Sequence, residues 1–181
     1  YVAMADACAK AIEVDEADPQ ALYLYAKAYR GLGDVPNAVA MLTKALDKYD
    51  DFEAARLLRG ETLLANGDVE EAGKDADELL KRIEGNEDVL MLNARVAKAK
   101  GDMEKAEQTY DAVLNVNPFS VDAFAERAEV RRQLGNEAGA AEDEASAEEL
   151  RASQQQPSED IGEKVKDRMK QMDPYKIFNN E

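Results

Sequence analysis

The sequence predicts an all-α protein: an α-solenoid of antiparallel helix pairs, finished by a C-terminal capping helix. Three observations carry this reading. First, Gly33, Gly67, Gly101 and Gly135 recur at an unbroken spacing of 34 residues, each followed by Asp or Asn (Asp34, Asp68, Asp102, Asn136). Such a fixed period marks stacked supersecondary units. Second, small residues flank each Gly in register: Ala26, Gly60, Ala94 and Ala128 seven before it, and Ala38, Ala72, Ala106 and Ala140 five after it. Third, the chain is 45% hydrophobic but only 6% aromatic, with no Trp. A core built from small and aliphatic side chains suits closely packed helices better than a sandwich or barrel.

Each element has a local cause. Gly ends the first helix of a pair because it tolerates the left-handed conformation that closes a helix. Asp or Asn then caps the second helix by accepting hydrogen bonds from its free N–H groups. Asp68 with Glu71 reads as a capping-box-like pair. The small residues lie on facing helices near the turn, where a larger side chain would force the backbones apart. On this register residues 1–18 read as the second helix of a truncated unit. Four full units follow at 19–52, 53–86, 87–120 and 121–154. The chain is expected to extend further toward its N-terminus, since an array does not normally open on half a unit. Pro157 breaks the array, and Ser158 caps a further helix at 158–173. That helix places Ile161, Val165, Met169 and Met172 at helical spacing. An extended tail, 174–181, follows, with Tyr175, Ile177 and Phe178 expected to dock on apolar surface. The total expected is ten helices and no sheet.

This pattern resembles the tetratricopeptide repeat (TPR). The resemblance rests on the small residue, the Gly-Asp turn and the Ala column, and on two later columns that read Leu42, Ala76, Tyr110, Glu144 and Ala45, Leu79, Val113, Ala147. It covers about residues 1–155. The family's Pro after the second helix is present at Pro118 and absent at Asp50, Glu84 and Ala152, and its first-helix aromatic matches at Tyr29 only. The resemblance implies a right-handed α-solenoid and a non-catalytic adaptor or scaffold that binds an extended peptide or protein along a groove lined by first helices. The chaperone-binding members carry a clamp of Lys, Asn and Arg. The corresponding positions here are Tyr23, Lys27, Leu58, Asp88 and Leu92, so recognition of a chaperone's acidic C-terminal tail is not implied.

Composition excludes much chemistry. With no His there is no His-based acid–base mechanism and no His-ligated zinc, and one Cys cannot form an intrachain disulfide. The formal charge of −16, from 39 acidic and 23 basic residues, repels phosphate backbones and argues against nucleic acid. No apolar run approaches the roughly 18 residues of a membrane span. The Gly67–Lys74 stretch fails as a phosphate loop, having five residues between its glycines and Asp75 after the Lys. Asp75, Asp77 and Glu78 lack the spacing of a calcium loop. Cys8 stands among small residues with no His to activate it. The chain is therefore read as no enzyme, with no cofactor and no metal. A lone Cys suits the cytoplasm, with the periplasm as the other compartment considered.

The candidate site follows from helical spacing within each first helix. Positions 2, 5, 9 and 12 of successive units hold five basic and four acidic residues, against 23 and 39 overall. The candidates drawn from them are Tyr23, Lys27, Arg30, Leu57, Glu61, Leu64, Met91, Arg95, Lys98 and Arg132. Relative enrichment in positive charge beside apolar contact points suits a segment with acidic and apolar side chains. The competing reading is a set of solvated faces with i,i+4 ion pairs. The final helix, with Glu137, Glu142, Asp143, Glu144, Glu148 and Glu149, reads as a water-facing end of the array. Self-association into a homodimer, or a regulatory segment of a longer enzyme or receptor, are the alternative functions.

Overall fold

The computed structural model describes residues 18–155. The capping helix, the tail and the N-terminal half-unit lie outside these residues. Eight helices and no strand occur among the described residues: α1 (Pro19–Gly31), α2 (Val35–Lys48), α3 (Glu53–Asn66), α4 (Val69–Arg82), α5 (Glu87–Ala99), α6 (Met103–Val116), α7 (Val121–Gln133) and α8 (Glu137–Gln155). Each packs on its chain neighbours, and α3 also touches α5, the first helix of the next pair.

The turn glycines behave as their spacing requires. Gly33, Gly67, Gly101 and Gly135 all adopt positive φ, between 78° and 89°. A side chain there would be strained, so the turn selects Gly. Three of the four capping residues then act as expected. Asp34 accepts from the Asn37 N–H, Asp102 from the Lys105 N–H, and Asn136 from the Gly139 N–H. Asp68 does not: its side chain makes no cap hydrogen bond, and its Oδ2 accepts instead from Asn66 Nδ2 at 2.7 Å. The capping-box reading of Asp68 and Glu71 is thus corrected. Asn66 offers a competing donor on the near side of the turn, and Glu71 is held by Lys74.

Burial follows the columns. Ala26, Ala94, Ala38, Ala72 and Ala106 are wholly buried, and Ala128 and Ala140 nearly so. Gly60 shows how close the approach is: a Cβ there would lie 2.7 Å from Leu92 Cδ2 on α5. Three apolar clusters run through the stack. Leu22, Ala26, Leu42, Leu46 and Leu58 join α1, α2 and α3. Ala72, Ala76, Leu79, Val89, Leu92 and Val96 join α4 to α5. Met91, Ala94, Tyr110, Val113, Ala123 and Val130 join α5, α6 and α7. Each cluster reaches into the next pair, so no pair buries its apolar face alone. Replacing Ala94 or Ala106 with Leu is expected to cost about 1–3 kcal/mol through overpacking. An unchanged urea midpoint for both variants would show that these are not close-contact positions.

The last helix departs from the water-facing reading at one residue. Glu142, Glu144, Glu148 and Glu149 are exposed, but Asp143 is buried at 3% exposure. It takes two hydrogen bonds from Arg127 and one from Arg131, all from α7. A carboxylate that meets two guanidiniums is carried into the core by its partners.

Candidate peptide-binding face

The candidate residues lie on α1, α3, α5 and α7, the first helix of each pair. Their charges are mostly engaged with one another across pairs. Arg30 Nη1 donates to Glu61 Oε2 at 2.8 Å, linking α1 to α3. Lys98 donates to Glu129, linking α5 to α7 with the same sequence separation of 31 residues. Arg95 uses Nε and Nη2 on Glu126, also 31 residues on. Arg132 pairs with Glu144 on α8. The expected i,i+4 pairing within each helix is replaced here by a ladder between helices. One helical unit advances the pattern by 34 residues, so a side chain one turn lower on the next helix is 31 away.

The remaining candidates differ in access. Lys27 is exposed and lies 5.6 Å from the Tyr23 ring centroid, within cation–π range, and has no carboxylate partner among the described residues. Tyr23 is half-buried, its ring 5.2 Å from that of Phe52. Leu57 and Leu64 are half-buried beside the second apolar cluster. Met91 is only 6% exposed and belongs to the core, so it offers almost no surface to a ligand. Its position in the unit matches Tyr23 and Leu57, but here the facing wall of α6 and α7 closes over it. Arg30, Glu61, Leu64, Ala65, Leu92 and Arg95 line one cavity of about 290 Å³ formed by α1, α3 and α5.

Two buried ion-pair networks were not singled out from the sequence. Arg59 on α3 grips Asp75 on α4 through two hydrogen bonds, 2.8 and 2.6 Å, and donates a third to Thr43. Arg127 on α7 grips Asp143 on α8 in the same way and donates to Asp111. All three positions recur 68 residues, two repeat lengths, apart. That recurrence was the available signal. Asp75, set aside as part of a failed calcium loop, is a buried partner of Arg59. The hydrogen bond to the carboxylate outweighs burial and holds both Arg59 and Arg127 above the usual guanidinium range. Among the described residues no cluster of acids and Cys could hold a metal ion. No described helix is long and apolar enough to cross a membrane.

Glu126 is the most connected acid of the face. It accepts from Arg95 and, at 2.7 Å, from the buried Tyr110 hydroxyl. Burial pushes the Glu126 carboxyl upward, but the hydrogen bonds from Arg95 and Tyr110 win and hold it below its usual 4.5. A group depressed on folding contributes stability above its unfolded pKa and loses it as pH falls through the folded one. Stability is therefore expected to fall with pH from about 4.5 downward, and Glu126→Gln should flatten that part of the curve. Urea titrations of both proteins between pH 6 and about pH 2 check this; parallel curves would contradict it.

Two sequence models of the tetratricopeptide repeat match the chain, one over residues 5–51 and 23–87 and the other over residues 63–129. The chain belongs to the tetratricopeptide repeat family. Among solved structures, a crystal structure of MamA aligns with a TM-score of 0.75 at 17% identity, over 83% of this chain and 88% of that one. MamA residues 41 to the end from Desulfovibrio magneticus RS-1 align with a TM-score of 0.74 at 19% identity, over 80% and 81%. YrrB, described as a TPR protein with an unusual peptide-binding site, aligns with a TM-score of 0.68 at 19% identity, over 88% and 80%. At these identities the likeness is one of fold. No curated protein matches the chain in sequence.

Proposed function

We propose that this chain is a non-catalytic adaptor that holds an extended peptide or a protein segment along the face formed by α1, α3, α5 and α7. Tyr23, Lys27, Arg30, Leu57, Glu61, Leu64, Arg95, Lys98 and Arg132 form the contact surface, and Met91 lies in the core beneath it. The observation that carries the reading is the mixed face itself. Lys27, Arg30 and Arg132 are exposed and Tyr23, Leu57 and Leu64 half-buried along it, and an open cavity lies between α1, α3 and α5. A surface that combines apolar anchors with charged neighbours suits an extended ligand. YrrB, of similar fold, is described as binding peptide, which supports the same use of the architecture here.

The test is selection of random dodecapeptides against the chain, followed by mapping of amide shifts. Selected peptides are expected to shift residues of α1, α3, α5 and α7. The Lys27→Glu, Arg30→Gln double variant is expected to weaken them about tenfold, as loss of two charged contacts would. Arg95 is left intact in this test, because Glu in its place would face Glu126 and disturb the fold. Shifts confined to α2, α4, α6 and α8, or no selected peptide, would overturn the reading. Light scattering across concentration distinguishes ligand binding from self-association into a homodimer.

A further inference from the structure

The charge ladder on the first-helix face has one missing rung. Two columns of like position run along it: Arg30, Leu64, Lys98 and Arg132 at one height, and Glu61, Arg95 and Glu129 one turn lower on the following helix. Arg30 pairs with Glu61 and Lys98 with Glu129. Between the second and third pairs the same offset joins Leu64 to Arg95, and no ion pair can form. Arg95 turns instead to Glu126 on α7. The cavity of about 290 Å³ lies at this gap.

Its lining is specific in kind. Leu64, Ala65 and the buried Leu92 give an apolar floor, and Arg30 and Arg95 flank it. Arg30 makes one hydrogen bond, through Nη1, so Nε and Nη2 have no partner among the described residues. Arg95 uses Nε and Nη2, so Nη1 has none. Glu61 is the one acid in the lining, and Arg30 neutralises it. The volume holds one side chain and its adjoining main chain, at the lower edge of what a whole small molecule needs.

Resting on the peptide-binding reading above, we infer that this gap is the specificity pocket: it takes one aliphatic side chain of an acidic peptide onto the half-buried Leu64 and the exposed Ala65, above the buried Leu92, and the neighbouring carboxylate onto the unpartnered N–H groups of Arg30 and Arg95. Both guanidiniums are already paired, Arg30 with Glu61 and Arg95 with Glu126, so the selection lies in their unpartnered N–H donors, which a carboxylate can accept from and a basic side chain cannot. The missing rung is thus what lets a ligand choose its register along an otherwise self-paired face.

The test uses two fluorescein-labelled nonapeptides of Ser, Asp and Glu, one with a single central Leu and one with Ser in its place. Measurements are made near 0.15 M salt, where the chain's net charge of −16 is screened beyond about 8 Å. The Leu peptide is expected to bind about tenfold tighter than the Ser peptide, as one buried aliphatic side chain would give. It should also shift the methyl signals of Leu64 and Ala65. Leu64→Lys, which fills the gap with a cation, is expected to erase the preference while leaving the thermal transition in place. Arg30→Gln should weaken both peptides. Equal affinity for the two peptides, unshifted Leu64 and Ala65 methyls, or no binding of either peptide would overturn the pocket. Should library-selected peptides still map to the first-helix face in that event, the pocket alone falls. Should they map elsewhere, the face falls with it.

Discussion

Asp143→Ala is expected to destabilise the fold by about 3–5 kcal/mol, because it strands two partly buried guanidiniums. The Arg127 and Arg131 side chains are only 13% and 17% exposed, and the Asp143 side chain 4%. Arg127 donates to both carboxylate oxygens, 2.5 and 2.9 Å, and Arg131 adds a third bond at 3.0 Å. Arg127 keeps Asp111 and Arg131 keeps Glu107 after the substitution, which places the expected loss toward the lower end. Glu149→Ala on the same helix is the control. Glu149 is exposed, and its removal should stay within about 0.5 kcal/mol. Urea denaturation at pH 7 measures both. A loss for Asp143→Ala no larger than the control's would show that the α7–α8 clamp contributes nothing to stability.

Tyr110→Ala is expected to cost about 3–5 kcal/mol, the range for a large aromatic removed from a packed core. Tyr110 is the largest side chain with no exposure, at the centre of the cluster that joins α5, α6 and α7. Its hydroxyl reaches out of that cluster to Glu126. Tyr110→Phe keeps the ring and removes only this donor, while Glu126 retains Arg95. Its cost should be about 1 kcal/mol. The order Ala well above Phe separates packing from hydrogen bonding, and equal losses would assign the whole effect to the hydroxyl. Burial, the hydrogen bond to Glu126 and the nearby carboxylates all push the Tyr110 hydroxyl far above its usual pKa, so it stays a donor through the working pH range.

Much of the architecture was legible because its causes are local. A left-handed turn residue selects Gly, the next residue caps, and a close helix crossing selects Ala or Gly. Each of these requirements acts within a few residues, so it repeats every 34 and can be read from one chain. The buried columns at Leu42, Ala76 and Tyr110 follow from the same period. Glu144, which breaks their pattern, is exposed as its charge requires.

What the tertiary structure alone decided was the partnering of the charges. Arg30 with Glu61 and Lys98 with Glu129 are separated by 31 residues, and Arg59 with Asp75 and Arg127 with Asp143 by 16. These contacts depend on the tilt and height of one helix against the next. Long side chains of equal charge are interchangeable in a sequence but not in a packed interface. Asp143 therefore reads as one acid among six on a polar helix, yet it is buried because two guanidiniums stand opposite. Met91 reads as a groove contact by its position, yet α6 and α7 cover it. The same geometry set Leu64 against Arg95, where no ion pair can form, and so left the ladder open at one step. Helix existence, length and order were determined by short-range chemistry along the chain. The charge pairing on the first-helix face was decided by which side chains the packed helices brought within reach of one another.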